Sequence, residues 1–528
     1  MSAALTDVTL LARLRAALPG RVAPPQVAHA EALLPGRTLQ LQARDWASAA
    51  AALATFGARF SALWIDHGVR PWQGLALFAD GGDYLLLHAE LDSPNPALPS
   101  LTPHFAGAAR SERGWHDLLG VDFVGHPDPR RWLRHQAWGE HEFPLAAPTQ
   151  PPARTPADTT YPFTRMAGGA VHEVAVGPIH AGTIEPGHFR FATVGEQALQ
   201  LELRLGYVHR GVQSIACGRD AAGLLRLAAR VSGDSAVAHA WAAAMALEHA
   251  AGVTPPARAL ALRAVLAERE RVANHLGDAA GIANDVGFSF AHVQFGALRE
   301  RWQRRSAELF GHRLLFDVLT PGGVRVDVDA AAIASLRADH IALRAVLRPL
   351  IDIVLDHPSL DDRLVGTGLL SAGDARALGC LGYVARASGQ DLDVRRDAPY
   401  APYDRLGVRV PVYTQGDVVA RLRVRLDEIG IALDLLDALL ADLPAGATMV
   451  TWAAPAGGGT GLGIVEGWRG ETVAYVRLDA LGRVACYAPR DPSVMNWPAL
   501  ERLLPGNIIP DFPVCNKSIN GSYAGHDL

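Results

Sequence analysis

PPARALALRAVLAERERVANHLGDAAGIANDVGF, residues 255–288, sets the character of most of the chain. Pro255 and Pro256 suit a helix start, where a missing N–H and a fixed φ cost nothing. Behind them Leu262, Val265, Leu266, Val272, Ala273 and Leu276 recur at helical spacing and line one face. The run from Glu268 to His275 is highly charged, and i,i+4 pairing predicts a solvated face there. Apolar, breaker-poor stretches predict further helices over Leu224–Ala250, Leu343–Leu355 (with a kink at Pro349) and Ala420–Leu440. Shorter runs at Val171–Val176, His188–Val194, Thr472–Leu478 and Arg483–Tyr487 read as strands. A helical bundle with small peripheral β-sheets follows.

Toward the N-terminus this pattern stops at APTQPPARTPADTTY, residues 147–161, whose proline-rich, aperiodic composition is that of a linker. Residues 1–145 therefore read as one domain, 146–160 as the linker and 161–528 as a second domain. In the first, Leu10, Leu11, Leu14 and Leu18 follow a helical period, and Ala47–Ala58 predicts another helix. Leu75–Phe78 and Tyr84–Leu91 flank Asp80-Gly81-Gly82-Asp83 as a β-hairpin would. The expected fold class is an α+β N-terminal domain followed by a mainly α-helical one.

Composition narrows the function. The chain has 528 residues, 49% of them hydrophobic and 20% charged, enough to bury large cores. A net charge of -5 argues against a nucleic-acid partner. Lys517 is the sole lysine, so the positive charge is almost all arginine. Cys217, Cys380, Cys486 and Cys515 form no C-x-x-C pair, which excludes disulfide-framework, zinc-finger and four-cysteine cluster spacings. A reducing cytoplasmic setting is expected. No apolar run reaches the roughly 18 residues of a membrane span. The first twenty residues read as an amphipathic helix rather than a signal peptide.

Several motifs invite chemistry. Gly457–Gly463 lacks the lysine and hydroxyl residue of a phosphate-binding loop and reads as a loop entering a hairpin. His180 and His188, with Glu185 between them among glycines and prolines, mark a cleft candidate. Ser232, Ser235 and His239 suggest nucleophilic catalysis, but no G-x-S-x-G elbow surrounds them.

Wording and order then carry a resemblance over nearly the whole chain. SERGWHDLLGVDFVGHPDPRR (111–131) and EHEFPL (140–145) resemble the 30 kDa-type subunit of respiratory complex I. GPIHAGTIEPGHFRF (177–191), LELRLGYVHRGV (201–212), ERERVANHLGDAAGIANDVGF (268–288), PGGVRVD (321–327), APYAPYDRLGVRVPVYTQGDVVARLRVR (398–425) and NWPALERLLPGNIIPDFP (496–513) resemble the complex I 49 kDa-type subunit. They are more similar still to the large subunit of membrane-bound, group 4 nickel–iron hydrogenases of the formate hydrogenlyase type.

In that family two C-x-x-C pairs hold nickel and iron, thiolates being suited to bridging two redox-active ions. The resemblance places those cysteines at Ser232, Ser235, Ser522 and Gly525, so every thiolate is replaced and no metal is expected here. Glu185 matches the family's proton-transfer glutamate, and Arg469 matches the arginine that overhangs the metals. His180 matches the first histidine of the complex I quinone turn, while Ile184 stands in place of the second and no tyrosine lies between Arg230 and His239. By the same likeness Asp234 and Tyr523, with the serines, face a partner's cluster. The resemblance implies a large subunit of a complex I-like, energy-converting-hydrogenase-related oxidoreductase, taking part in electron transfer (of NADH:quinone type) coupled to ion translocation. No cofactor is expected on this chain; an Fe–S cluster would lie in a small iron–sulfur subunit, membrane ion-translocating subunits would be the other partners, and quinone is a candidate ligand. The location implied is cytoplasmic, peripheral on the inner face of the cell membrane. The alternatives are a non-catalytic scaffold subunit and, lesser, a true group 4 hydrogenase large subunit.

Overall fold

A computed structural model describes residues 9–18, 36–91, 95–135, 138–139, 141–146, 161–180 and 184–528. The expected linker falls almost wholly outside them. The N-terminal part is built on a four-stranded sheet. Gly36–Leu41 pairs parallel with Asp83–Leu91, which pairs antiparallel with Trp72–Asp80, and that strand with Arg59–Asp66. The anticipated hairpin is the central pair. The helices Leu10–Ala17 and Trp46–Thr55 bury Leu10, Leu14 and Leu53, and Ala109–Leu119 packs on strand Arg59–Asp66.

The C-terminal part is mainly helical. Its axis is the 29-residue helix Ala257–Asp285, which lies between helices Ser289–Phe310 and Val418–Ala441. The charged face expected to be solvated is instead interior: Glu268, Arg269, Glu270, Arg271, Asn274 and His275 are all buried. Both neighbouring helices cover that helix, and its charges pair with distant groups such as Arg395 and Glu428 as well as along the helix, where Arg271 meets Glu268. Leu224–Ala250 is likewise not one helix but two, Ala221–Ala228 and Ala236–Ala251. The break at 229–235 contains Gly233 and two serines, residues that favour turns and helix starts. The helix over Leu343–Leu355 begins earlier, at Ala330, and continues through Pro349.

A three-stranded antiparallel sheet, Gly459–Gly467, Gly470–Leu478 and Val484–Arg490, joins the two parts. Gly459–Gly463 is therefore strand, not loop. A Cβ on Gly461 or Gly463 would collide with the carbonyl oxygens of Ala246 and Ala242. Glycine at alternate positions lets this strand lie directly on the alanine-rich helix Ala236–Ala251. Residues of the other parity face the opposite way. Leu462, Ile464, Val473 and Tyr475 belong to the N-terminal core, whereas Val465, Ala474 and Val476 belong to the helical one. One small sheet thus serves two cores.

Candidate functional site

The 229–235 break, the tip of the first hairpin in that sheet, and the C-terminal segment meet at one place. Gly467 and Gly470 close the hairpin, leaving Trp468 and Arg469 at its tip. Gly470 sits at φ +123° against the backbone of Gly382, where a Cβ would collide. Helix Phe512–Ile519 ends at Asn520 in the left-handed region, φ +41°, which asparagine tolerates. Ser522 then caps the last helix, Tyr523–Asp527, its Oγ accepting from the Gly525 N–H at 2.9 Å.

Arg469 enters from the hairpin and grips Asp234 through two hydrogen bonds of 2.6 Å each, while its Nε donates to the Asn520 carbonyl at 2.8 Å. Burial alone would raise the Asp234 carboxyl, but the guanidinium and the Ser232 hydroxyl hold it below its ordinary range. Asp234 is therefore an acceptor. The Ser232 hydroxyl donates to Asp234 Oδ1 at 2.7 Å and so has no proton left for Ser522, 2.8 Å away. The Ser522 hydroxyl must donate to Ser232. A single directed chain results: Gly525 N–H to Ser522, Ser522 to Ser232, Ser232 to Asp234, with Arg469 holding the far end. Ser235 adds an acceptor for the Trp468 indole N–H at 3.0 Å and for Arg469 at 3.2 Å.

Behind this chain His239 Nε2 bonds Asp491 Oδ2 at 2.7 Å, and the Ser493 N–H donates to Asp491 Oδ1 at 2.7 Å. Burial opposes charge on Asp491, yet His239, Arg469 and Ser493 keep its carboxyl strongly depressed. Its carboxylate occupies the space a side chain at position 525 would need, 2.6 Å from the Cβ site. Tyr523 lies beside the chain, its hydroxyl 3.3 Å from His180 Nε2. Burial lowers the His180 pKa and raises that of Tyr523, so both are neutral at pH 7. Glu185 is exposed on the same turn, and its charge is felt by Tyr523 and Arg210.

The structure thus brings Ser232, Asp234, Ser235, Arg469, Ser522 and Gly525 into one site and attaches His180 to it through Tyr523. Glu185 stays at the rim. Sequence reasoning passed over Asp491, whose signal was the Asp-Pro-Ser that opens helix Ser493–Leu503, and Asn520, legible only as a helix stop. The four cysteines are free and elsewhere: Cys217 is exposed, Cys380 neighbours Met495, Cys515 lies against Gly368, and Cys486 is in the joining sheet. Among the described residues no group of three or more His, Cys, Asp or Glu side chains is arranged to hold a metal ion. Two hydroxyls bonded to each other, a third engaged by Trp468 and Arg469, and a glycine whose side-chain space is filled by Asp491 do not fit a thiolate-bridged nickel–iron centre.

Residues 285–456 match the family described as respiratory-chain NADH dehydrogenase, 49 Kd subunit, and residues 40–153 the corresponding 30 Kd subunit. Formate hydrogenlyase subunit 5 of Escherichia coli is 32% identical over 450 residues, 84% of this chain and 79% of that protein. The chain belongs to this complex I and group 4 hydrogenase large-subunit family. Carbon monoxide-induced hydrogenase of Rhodospirillum rubrum is 34% identical over 66% of this chain and 98% of its own length. The NADH-quinone oxidoreductase C/D protein of Bacteroides fragilis is 30% identical over 66% of this chain and 70% of its own. A solved subunit of the membrane-bound sulfane sulfur reductase, an archaeal respiratory membrane complex, superposes with a TM-score of 0.64 at 26% identity, covering 68% of this chain and 99% of that one. Two subunit types are fused here, and among the described residues no helix is long and apolar enough to cross a membrane.

Proposed function

We propose that this chain is the large subunit of a membrane-associated complex I-like oxidoreductase in which the ancestral metal site has become a proton-handling polar site. The observation that carries the reading is the directed chain from Ser522 through Ser232 to the Asp234–Arg469 pair, two of whose members the resemblance aligns with the family's ligands. Hydroxyl to hydroxyl to carboxylate is a path along which a proton delivered to Ser522 Oγ from solvent or a partner passes to Asp234. The hydroxyls then rotate to restore the chain, while the Gly525 N–H keeps its own proton. Arg469 keeps the terminus of the path ionised and so sets its direction. A negative charge arriving nearby, as on reduction of a neighbouring iron–sulfur cluster, would weaken that preference and draw a proton in. Likeness to a subunit of an archaeal respiratory membrane complex and to a membrane-bound hydrogenase subunit of Pyrococcus furiosus supports a small iron–sulfur subunit and ion-translocating membrane subunits as partners, on the inner face of the membrane. His180 and Tyr523 form the wall a quinone headgroup would meet.

Purified full-length chain from nickel-replete cells is expected to hold no stoichiometric nickel and to oxidise no H2. In the assembled complex Asp234→Asn is expected to lower quinone-dependent turnover by at least tenfold. Stoichiometric nickel overturns the first half, and unchanged turnover the second. A scaffold role is the second reading. The site's own satisfaction favours it, since every hydroxyl there is bonded within the chain. It predicts unchanged turnover in both Asp234→Asn and Glu185→Gln.

A further inference from the structure

Helix Ala257–Asp285 carries a second polar cluster, separate from the serine site. Three guanidinium groups (Arg271, Arg386, Arg395) and four carboxyl groups (Glu268, Asp393, Glu428, Glu466) share it, each no more than 3% exposed. Glu268 accepts from Arg395 at 2.9 Å, from Arg271 at 3.0 Å and from the Tyr403 hydroxyl at 2.7 Å. Asp393 takes both arms of Arg395, at 2.7 and 3.0 Å. Glu428 pairs with Arg386 at 2.6 Å and with His275 Nε2 at 2.8 Å. The Glu466 carboxyl has no contact shorter than 3.1 Å, accepting from Arg386 at 3.1 Å and from the Val394 N–H at 3.2 Å.

Within this hydrogen-bonded network four carboxylates against three guanidiniums would leave one negative charge without a contacting cation, which burial penalises. One proton balances the cluster. His275 is an unsuitable holder, because its Nδ1 is buried without a hydrogen-bond partner and an imidazolium needs two acceptors. The remaining candidate is Glu466, the one acid of the four whose carboxyl has no contact shorter than 3.1 Å, and it borders a cavity.

We propose that Glu466 holds an exchangeable proton and forms a buried proton store three residues upstream of Arg469. Exchange has a route: a cavity of about 20 Å³ borders Glu466, room for one water, and its walls include Tyr84, Gly81 and Asp397. Across it Arg59 and Arg490 share the one carboxylate of Glu471, and neither hydrogen-bonds Glu466. Arg271 gives its other arms to the Glu466 and Gly467 carbonyls, and the hydroxyl of Tyr400 accepts from the Glu466 N–H. Burial first, then the Asp393 charge, moves the carboxyl up to about 7, against the pull of Arg386 and Arg395. Toward the serine site the cluster continues through Glu428 and His275 to the Trp468 indole, its ring 5.8 Å from that of His275.

Infrared titration of the full-length chain tests this without turnover, so it can fail while the reading of the serine site stands, and the reverse. The expected result is a buried protonated-carboxyl band at pH 6 that converts with a midpoint near 7, shifts in D2O without unfolding, and is missing from Glu466→Gln. Glu270, whose carboxyl burial moves up to about 8, gives a second band that Glu466→Gln leaves in place. A band near 7 that survives in Glu466→Gln overturns the proposal. Should that variant fail to fold, absence of any such band in the wild-type chain overturns it equally.

Discussion

Replacing Glu471 with glutamine tests whether the two parts of the chain are one folding unit. Glu471 starts in the joining sheet and reaches into the N-terminal part, where it meets Arg59, Ser61 and Tyr84, and on its own side Arg490. Burial opposes its charge, but Arg59 and Arg490 override that and bring the carboxyl down to about 2 from an ordinary 4.5. A depressed acid stabilises the fold at pH values above its unfolded pKa and loses that contribution as pH falls through the folded one. Holding Glu471 near 2 contributes about 3 kcal/mol at neutral pH, lost between roughly pH 5 and pH 2. Breaking a buried pair by removing one partner costs about 3–5 kcal/mol by a separate line of reasoning. Glu471→Gln is therefore expected to destabilise the chain by about 3 kcal/mol at pH 7 and to flatten its stability profile below pH 5. Urea denaturation followed by circular dichroism and by tryptophan fluorescence should show one coincident, shifted transition. A loss under about 1 kcal/mol, or a shift confined to an N-terminal transition, refutes the reasoning.

Other expectations follow from local geometry. Gly463→Ala should cost about 1–3 kcal/mol in thermal or urea melts, because the strand must back away from Ala242, whereas Gly430→Ala, in open space on a helix, should stabilise by about 0.5–1 kcal/mol. Gly525→Cys should destabilise by about 1–3 kcal/mol through collision with Asp491, and should cost less when made in an Asp491→Gly background than in the wild-type chain. Ser232→Ala leaves the Ser522 hydroxyl without its acceptor and should cost about 1–3 kcal/mol, visible as a lowered melting temperature. Glu270 is a buried acid moved up to about 8, chiefly by burial and then against the Val237 and Ala238 amides, so the folded state binds its proton more tightly than the unfolded one. Stability should accordingly fall as pH rises from about 4.5 toward 8, and Glu270→Gln should remove that fall.

Much of the architecture was legible in the chain because periodicity reports on faces. The hairpin at 72–91, the helices Val418–Ala441 and Ala257–Asp285, and the strands around 172–194 stand where alternation or helical spacing put them. Charge was a poorer guide. Glu268, Arg271 and His275 look like a wet face in sequence, and only partners more than 100 residues away, Arg395 and Glu428, make them interior. Gly461 and Gly463 misled for a similar reason: a missing side chain signals a loop until the helix it lies against is known. At the site, Ser522 and Gly525 were picked out by resemblance alone, Ser232 and Ser235 also by their place near His239, and the donor order among them needed distances. Asp491 was invisible because an Asp-Pro-Ser helix start is common and says nothing about what the carboxylate faces.

The sheet with two cores has one more consequence. Arg469 rides on the tip of a hairpin whose first strand is seated on Ala236–Ala251 by its glycines, and whose second strand is bolted to the N-terminal part through Glu471 and Tyr475. The Arg469 grip on Asp234 is therefore positioned by contacts made in both cores, those of the glycines on Ala236–Ala251 and those of Glu471 and Tyr475 in the N-terminal part.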